Sequence, residues 1–406
     1  MASLLTPKRD CQNCSPGDGI GNGEIVTITT SLTRELFLRC APVGGESPCK
    51  QAIAFYKCLP GVLEQAGIEH SDILLERVFF RDLFSDHDEF DKIRTGAYRA
   101  AGLEGAELPA ASYINQPPCQ SDQAFEWQLQ AIVPNAGSNV RIHSFPSTAC
   151  GANTKLVEIG GLRHLYITGI NGIDSRGVLP RDFRRQSDNM FAKSAQLLEQ
   201  HDTPFSKVLR TWCYLDDIDR DYDQFNLSRN AFFEKHGITR LPASTGIRAG
   251  LHPPGAGCAF DLYALLNPEG IPTEVMHTPT LNEADEYGSA FSRGMKVALP
   301  EKTVLFISGT ASVDEQGATV HLDDVPRQIE RMLLNVQELL KPHDSTFADS
   351  VQTITYLKSA EYLPIFQRIW KEWGLGNLPN TFVEAGVCRP DLLCEMEAIV
   401  ILPGEE

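Results

Sequence analysis

The feature that most limits what this chain can fold into is a succession of strands and helices that runs three times along its 406 residues. Between Glu24 and Val133 the apolar pattern predicts strands, an amphipathic helix from Pro48 to Ala66, a strand from Leu74 to Asp82, a helix from Asp86 to Ala101 and a closing strand from Ala124 to Ile132. The order returns with a strand at Arg163 to Gly169, a helix at Asp182 to Gln200, a strand at Lys207 to Tyr214, a helix at Tyr222 to His236 and a strand at Gly257 to Leu266. A third round runs from Val304 to Thr310 through helices at Asp324 to Leu340 and Ala360 to Glu372, with a strand at Ser350 to Lys358 between them, to a last strand ending at Leu402. Short phrases mark the same places in each round. Leu108-Pro-Ala-Ala-Ser-Tyr113, Leu241-Pro-Ala-Ser-Thr-Gly246 and Leu378-Pro-Asn-Thr-Phe-Val383 each follow the second helix and read as Pro-rich turns. Self-similarity at a period of roughly 120 residues points to duplication of one α+β unit. The expected division is a flexible arm at 1–22, rich in Gly, Pro, Ser and Asn, then units at 23–140, 141–270 and 271–406.

Composition narrows the function classes. With 42% hydrophobic and 22% charged residues the chain has ample material for packed cores. A net charge of −17 without a basic cluster argues against a nucleic-acid partner. No run of eighteen apolar residues and no signal-peptide core at the N-terminus are found, so the expected location is the cytoplasm, with no membrane partner. Eleven cysteines are an odd number, and Cys213, Cys258 and Cys394 sit in apolar stretches as reduced core thiols do. Cys11-Gln-Asn-Cys14 has metal-ligand spacing but lacks a second Cys or His pair. The acidic run Asp216, Asp217, Asp219, Asp221 lacks the Gly turn and closing Glu of a calcium loop and reads as a helix cap. No cofactor and no metal are expected.

The terminal strand carries the sharpest chemistry. Leu392 to Leu402 reads as a strand buried on both faces, yet it holds Glu395 and Glu397. Carboxylates do not enter a core without a partner, a ligand or water. Spaced two apart they share one face.

The unit size, the Pro-rich turn and the terminal Glu-x-Glu-Ala resemble the Rid family (YjgF, or L-PSP endoribonuclease-like). That resemblance implies chorismate-mutase-like α+β units, each a mostly antiparallel sheet with two helices on one face, three of them packed about an axis with clefts between neighbours. From about residue 155 onward the chain is similar to the chorismatases, which remove the enolpyruvyl group of chorismate as pyruvate. The phrases that carry this are Arg210-Thr-Trp-Cys-Tyr-Leu215, Phe225-Asn-Leu-Ser-Arg229, Tyr287-Gly-Ser-Ala-Phe-Ser-Arg293, Phe306-Ile-Ser-Gly-Thr-Ala-Ser312 and Val387-Cys-Arg-Pro-Asp-Leu-Leu-Cys-Glu395. Two departures stand out. Imine-hydrolysing Rid proteins carry an Arg after the second helix, where this chain has Asn380-Thr381-Phe382, and against the chorismatases the first unit looks like an addition.

The resemblance makes Glu395 the expected general acid, with Glu397 as the alternative, because a carboxyl in an apolar strand titrates late. Cys388 falls where one chorismatase branch has a functional thiol, and a structural thiol is the other reading. Chorismate is a dicarboxylate, so Arg229 and Arg293, with Arg389 beside Cys388, are the expected anchors. Tyr287 could donate its hydroxyl, and Gly309 lets a ligand approach the backbone. The expectation is a chorismatase-like enzyme of secondary metabolism acting on a small carboxylated ether. The alternatives are a Rid-type enamine or imine hydrolase and a non-catalytic metabolite-binding protein. The expected assembly is a monomeric pseudo-trimer, or a homo-trimer, with Glu395 and Cys388 facing Arg229 across the boundary of the third unit.

Overall fold

The computed structural model describes residues 8–13, 19–146, 151–283, 288–376 and 378–404. Three six-stranded sheets account for the strands of the described chain, and their strand orders are the same. The first contains β1 (Lys8–Asn13), β2 (Ile20–Thr29), β3 (Thr33–Pro42), β4 (Ile73–Phe80), β5 (Ala110–Asn115) and β6 (Phe125–Pro134), ordered β1-β2-β3-β6-β4-β5. The second contains β7 (Val140–Phe145), β8 (Asn153–Ile159), β9 (Leu162–Asn171), β10 (Val208–Leu215), β11 (Ala243–Arg248) and β12 (Cys258–Leu265), ordered β7-β8-β9-β12-β10-β11. The third contains β13 (Thr273–Val275), β14 (Gly294–Leu299), β15 (Lys302–Ala311), β16 (Ser350–Leu357), β17 (Asn380–Glu384) and β18 (Cys394–Pro403), ordered β13-β14-β15-β18-β16-β17. Each sheet carries two helices: α1 (Pro48–Ala66) and α2 (Leu83–Ala100), α3 (Phe183–Glu199) and α4 (Ile218–Lys235), α5 (Val325–Leu340) and α6 (Leu363–Glu372).

Local chemistry sets these boundaries. Asp82, Asp182, Asp217 and Asp324 cap α2, α3, α4 and α5, each carboxylate accepting the N–H three residues on. Asp217 thereby accounts for the acidic run ahead of α4 as a cap. Helix α1 begins with Pro at its first position and ends at Gly67, whose φ of 65° satisfies the left-handed stop. The helical faces bury aromatic clusters, such as Phe191, Phe225 and Phe232 between α3 and α4 over Phe260 of β12.

Several expectations change. Residues 1–22, read as a flexible arm, include β1, which pairs antiparallel along β2, and β2 itself starts at Ile20. The side chains of Cys11 and Cys14 lie outside the described residues. The Pro-rich phrases are not only turns: after the proline each becomes a short edge strand, β5, β11 or β17, running parallel to β4, β10 or β16. Their five or six residues alternate too briefly to be read as strands without the neighbouring strand that pairs with them.

The sheets also contact one another in a repeated way. Beyond β5, the Asn115 N–H donates to the Gly250 carbonyl of the second unit (3.0 Å); beyond β11, the Arg248 N–H donates to Gly386 of the third (3.0 Å); at the end of β17, Glu384 donates to Pro117 of the first (2.8 Å). All three contacts run in one sense, so each unit's parallel edge is covered by the next unit's chain.

One buried polar cluster anchors the first unit. Glu76 accepts from Arg94 Nε (2.6 Å), Tyr98 Oη (2.5 Å) and Trp127 Nε1 (3.0 Å), with both charges out of solvent. Removing one member strands the other charge. Glu76→Leu is expected to lower unfolding stability by about 3–5 kcal/mol in urea titration; a loss below about 1 kcal/mol would show that Arg94 finds another counter-charge.

Candidate active site

The site forms where β15 is irregular. Opposite β18 the register of β15 shifts between Ile307 and Thr310, leaving Ser308 and Gly309 in a bulge. The Glu395 carboxyl lies directly over this bulge: a methyl group on Gly309 would stand 1.9 Å from Glu395 Oε1. Glycine is required there, since only an absent side chain leaves room for the acid. Two second-unit residues hold the bulge from the other side. The Gly309 N–H donates to Thr245 Oγ1 (3.0 Å), and the Ser244 N–H donates to Ser308 Oγ (2.9 Å).

Structure separates the two glutamates that sequence could not. Glu397 accepts from Arg210 Nη2 (2.8 Å) and Trp212 Nε1 (2.8 Å), both of the second unit, and is the partner in a buried ion pair. Glu395 lines a cavity instead, and among the described residues no cation forms an ion pair with it. Burial first, and the Glu397 charge second, push its carboxyl up to about 8 against the opposing pull of Arg293 and Arg210. The protonated form is thereby favoured.

Arg229 of α4 and Arg293 face the same cavity, together with Tyr222, Ser244, Phe291 and Gly309. Arg229 is 3% exposed, its Nη2 donates to Asn226 (2.6 Å), and its buried Nε has no hydrogen-bond partner in the structure. No carboxylate among the described residues pairs with it. A buried guanidinium left in that condition is a standing site for an anion. Arg293 is oriented by Asn282, to whose backbone and side-chain oxygens it donates (2.8 and 3.0 Å). The Phe291 ring lies 5.7 Å from the Arg229 guanidinium and 5.6 Å from that of Arg293, a shared cation–π wall.

Cys388 and Arg389 complete the lining. Burial, and then the neighbouring Glu395, push the Cys388 thiol up to about 12, so it is a neutral donor and not a thiolate. Arg389 Nη1 donates to the Gly317 carbonyl (2.6 Å). Glu395, Cys388, Arg229, Arg293, Gly309 and Arg389 thus converge on one cavity between the second and third units, whereas Tyr287 lies outside the described residues. Sequence reading missed Tyr222, Ser244 and Phe291. A signal for Tyr222 existed: it precedes Arg229 by seven residues on α4, two helical turns on one face. The enclosed space is narrow, about 30 Å³, so a ring-sized ligand requires the lining side chains to move apart.

The fold and this constellation define the class. A model of the Endoribonuclease L-PSP family matches residues 149–265 and again 288–402, more than half of the sequence, and the chain belongs to that family. The 3-hydroxybenzoate synthase of Streptomyces hygroscopicus is 27% identical over 232 residues, covering 51% of this chain and 66% of that protein, just under two thirds of its length. A RutC family protein of Pyrococcus abyssi is 24% identical over 110 residues, 27% of this chain and 84% of its own. A chorismatase crystal structure superposes with a TM-score of 0.61 at 18% identity, covering 92% of this chain and 100% of that one. Two units cannot supply such a span, so the first unit is not an addition foreign to the chorismatase fold, as its sequence suggested. Among the described residues no helix is long and apolar enough to cross a membrane.

The raised Glu395 acidity has a sign that can be checked. Unfolded, the carboxyl titrates near 4.5; folded, near 8; between those values the folded chain binds the extra proton. Its contribution to stability is therefore complete below about pH 4.5 and is lost as pH rises through about 8. Glu395→Gln, neutral at every pH, is expected to gain stability over the parent as pH rises, by about 1.4 kcal/mol per unit of pKa difference. Urea titrations from about pH 5 to 9 that show a constant difference would mean the carboxyl is ionised in the folded protein.

Proposed function

We propose that the chain is a chorismatase-like enzyme that removes the enolpyruvyl group of chorismate, or of a related cyclic carboxylated enol ether, as pyruvate. The observation that carries this reading is a buried Arg229, whose Nε has no hydrogen-bond partner, lining one cavity with Glu395, whose carboxyl burial pushes up towards the protonated form. Cleaving an enol ether needs both things at once: cations for the carboxylates and an acid for carbon. Arg229 and Arg293 take the carboxylates, the planar fork of each supplying charge-assisted hydrogen bonds. Glu395 delivers its proton to the terminal methylene of the enol ether, and the positive charge that develops on the ether carbon is met by water. The hemiketal so formed collapses to pyruvate and the ring alcohol, and the proton lost by the water returns to Glu395. The kinship with a 3-hydroxybenzoate synthase supports this reading. The Cys388 thiol, un-ionised on the cavity wall, is available to the departing ring as a hydrogen-bond donor.

An imine-hydrolysing role finds less support. Where that chemistry needs a guanidinium after the second helix, Asn380 is bound to Thr355 (2.9 Å) and Thr381 accepts from Gln128 of the first unit (2.9 Å). The first bond ties β17 to β16 within the third unit and the second ties the third unit to the first.

Incubation with chorismate and an enzymatic pyruvate assay test the reading, and no pyruvate above the uncatalysed rate would end it. Glu395→Gln should fold and lose about a hundredfold or more in kcat. Arg229→Ala should raise KM about tenfold or more, the worth of a buried charge-assisted pair; unchanged KM would remove Arg229 from the site. We also take the three units to close within one chain, because fusion gives them a high effective concentration. Light scattering should return 44.9 kDa, and a stable mass of three chains would refute this.

A further inference from the structure

The boundary between the first and second units repeats the geometry of the candidate site with different side chains. Counting from the capping aspartates Asp82 and Asp217, Tyr222 of α4 corresponds to His87 of α2, and Arg229 corresponds to Arg94. Counting from the glycines that receive the neighbouring edge strand, Gly250 and Gly386, Cys388 corresponds to His252. On the closing strands, Glu395 faces Tyr356 and its counterpart Ala259 faces Tyr214. The acid is gone from this cleft, and Arg94 is neutralised by Glu76 (2.5 Å). In exchange, two imidazoles meet across the unit boundary. The rings of His87 and His252 lie 3.7 Å apart and 7° from parallel, and His87 Nδ1 is 2.9 Å from Asp88 Oδ1.

We propose that this diverged cleft is a metal site: a divalent, imidazole-preferring cation such as Zn2+, held by one ring nitrogen each of His87 and His252 with the Asp88 carboxylate as third ligand, linking the first unit to the second. One ligand atom from each of the three side chains lies within 4.8 Å of the others. Two nitrogens and a carboxylate oxygen suit Zn2+, Cu2+ or Ni2+ and not the all-oxygen shells of Mg2+ or Ca2+. To share a cation at about 2.0–2.1 Å the rings must turn so that their lone pairs converge; His252 is exposed and has the room. The two histidines also border a cavity of about 540 Å³ lined by Asp91, Ser112, Asn153 and Asp261, so a fourth position opens onto a space that holds water or a small polar ligand. Sequence spacing could not reveal this set because its members belong to different units. The proposal is independent of the chemistry assigned to Glu395.

The test uses the full chain, stripped with chelator and titrated with Co2+ at about pH 7.5. Expected is one equivalent bound with weak visible bands and no thiolate charge-transfer absorption, which separates this site from any formed by the eleven cysteines. His87→Ala and His252→Ala should each weaken binding by about tenfold or more, and Asp88→Asn, an exposed change, should weaken it without affecting the fold. Zn2+ should raise the Tm of the parent and leave that of the His87→Ala/His252→Ala variant unchanged. Thiolate absorption, unchanged affinity in both histidine variants, or no saturable binding below about 100 µM would each overturn the assignment.

Discussion

Everything about the candidate site rests on one carboxylate that all three sheets share. Glu397 of the third unit is bound by Arg210 and Trp212 of the second, and the Arg77 guanidinium of the first stands 3.9 Å away over the Trp212 ring. Taking these charges out of water costs several kcal/mol each, so they persist only if the geometry is held from every side. That requirement fixes how the units sit against one another, because displacing either one leaves a buried charge without its counter-charge. It also reaches the chemistry: Arg210 donates to Thr245 Oγ1 (2.6 Å), Thr245 holds Gly309, and Gly309 is the floor on which Glu395 lies. The Glu397 charge itself helps to keep a proton on Glu395.

Duplication has left three boundaries with three outcomes. Between the second and third units the acid shares a cavity with Arg229, which has no ion-pair partner among the described residues and whose Nε is left without a hydrogen bond. Between the third and first units Cys119 and Glu126 keep the seven-residue spacing of Cys388 and Glu395, but Glu126 is ion-paired with Arg39 of β3. Between the first and second units the acid is replaced by Ala259, and histidines occupy the rim. Similar scaffolding therefore supports chemistry, closure and a different coordination set, according to which few side chains it presents.

Periodicity made the architecture legible before any coordinates. Helices α1, α3 and α5 fall within a residue or two of their expected ends because their amphipathic faces are long and each starts at a Pro in its first turn or behind a capping Asp. The edge strands β5, β11 and β17 were hidden because their order comes from pairing with a neighbour and not from their own alternation. In the site, the charged residues and the thiol of the matched phrases were found, whereas Tyr222, outside those phrases, and Phe291, an apolar member of one, were not, since their importance arises from what they face in the cavity. Sequence could place Glu395 and Glu397 on one face of a strand but could not tell them apart. What distinguishes them is Arg210, far away in the chain and adjacent only once the second and third sheets pack.

The repeated edge contact carries one more implication. Peptide linkers join the first unit to the second and the second to the third, so two of the three boundaries cannot drift apart. The boundary between the third and the first has no such tether and is kept by side chains and single backbone contacts: Lys302 on Glu35, Gln128 on Thr381, Glu384 on Pro117. It is the one of the three boundaries that no linker crosses. Slow opening of the molecule, seen as early hydrogen exchange or as a first proteolytic nick, would begin there, with the candidate catalytic boundary held shut by its covalent neighbour.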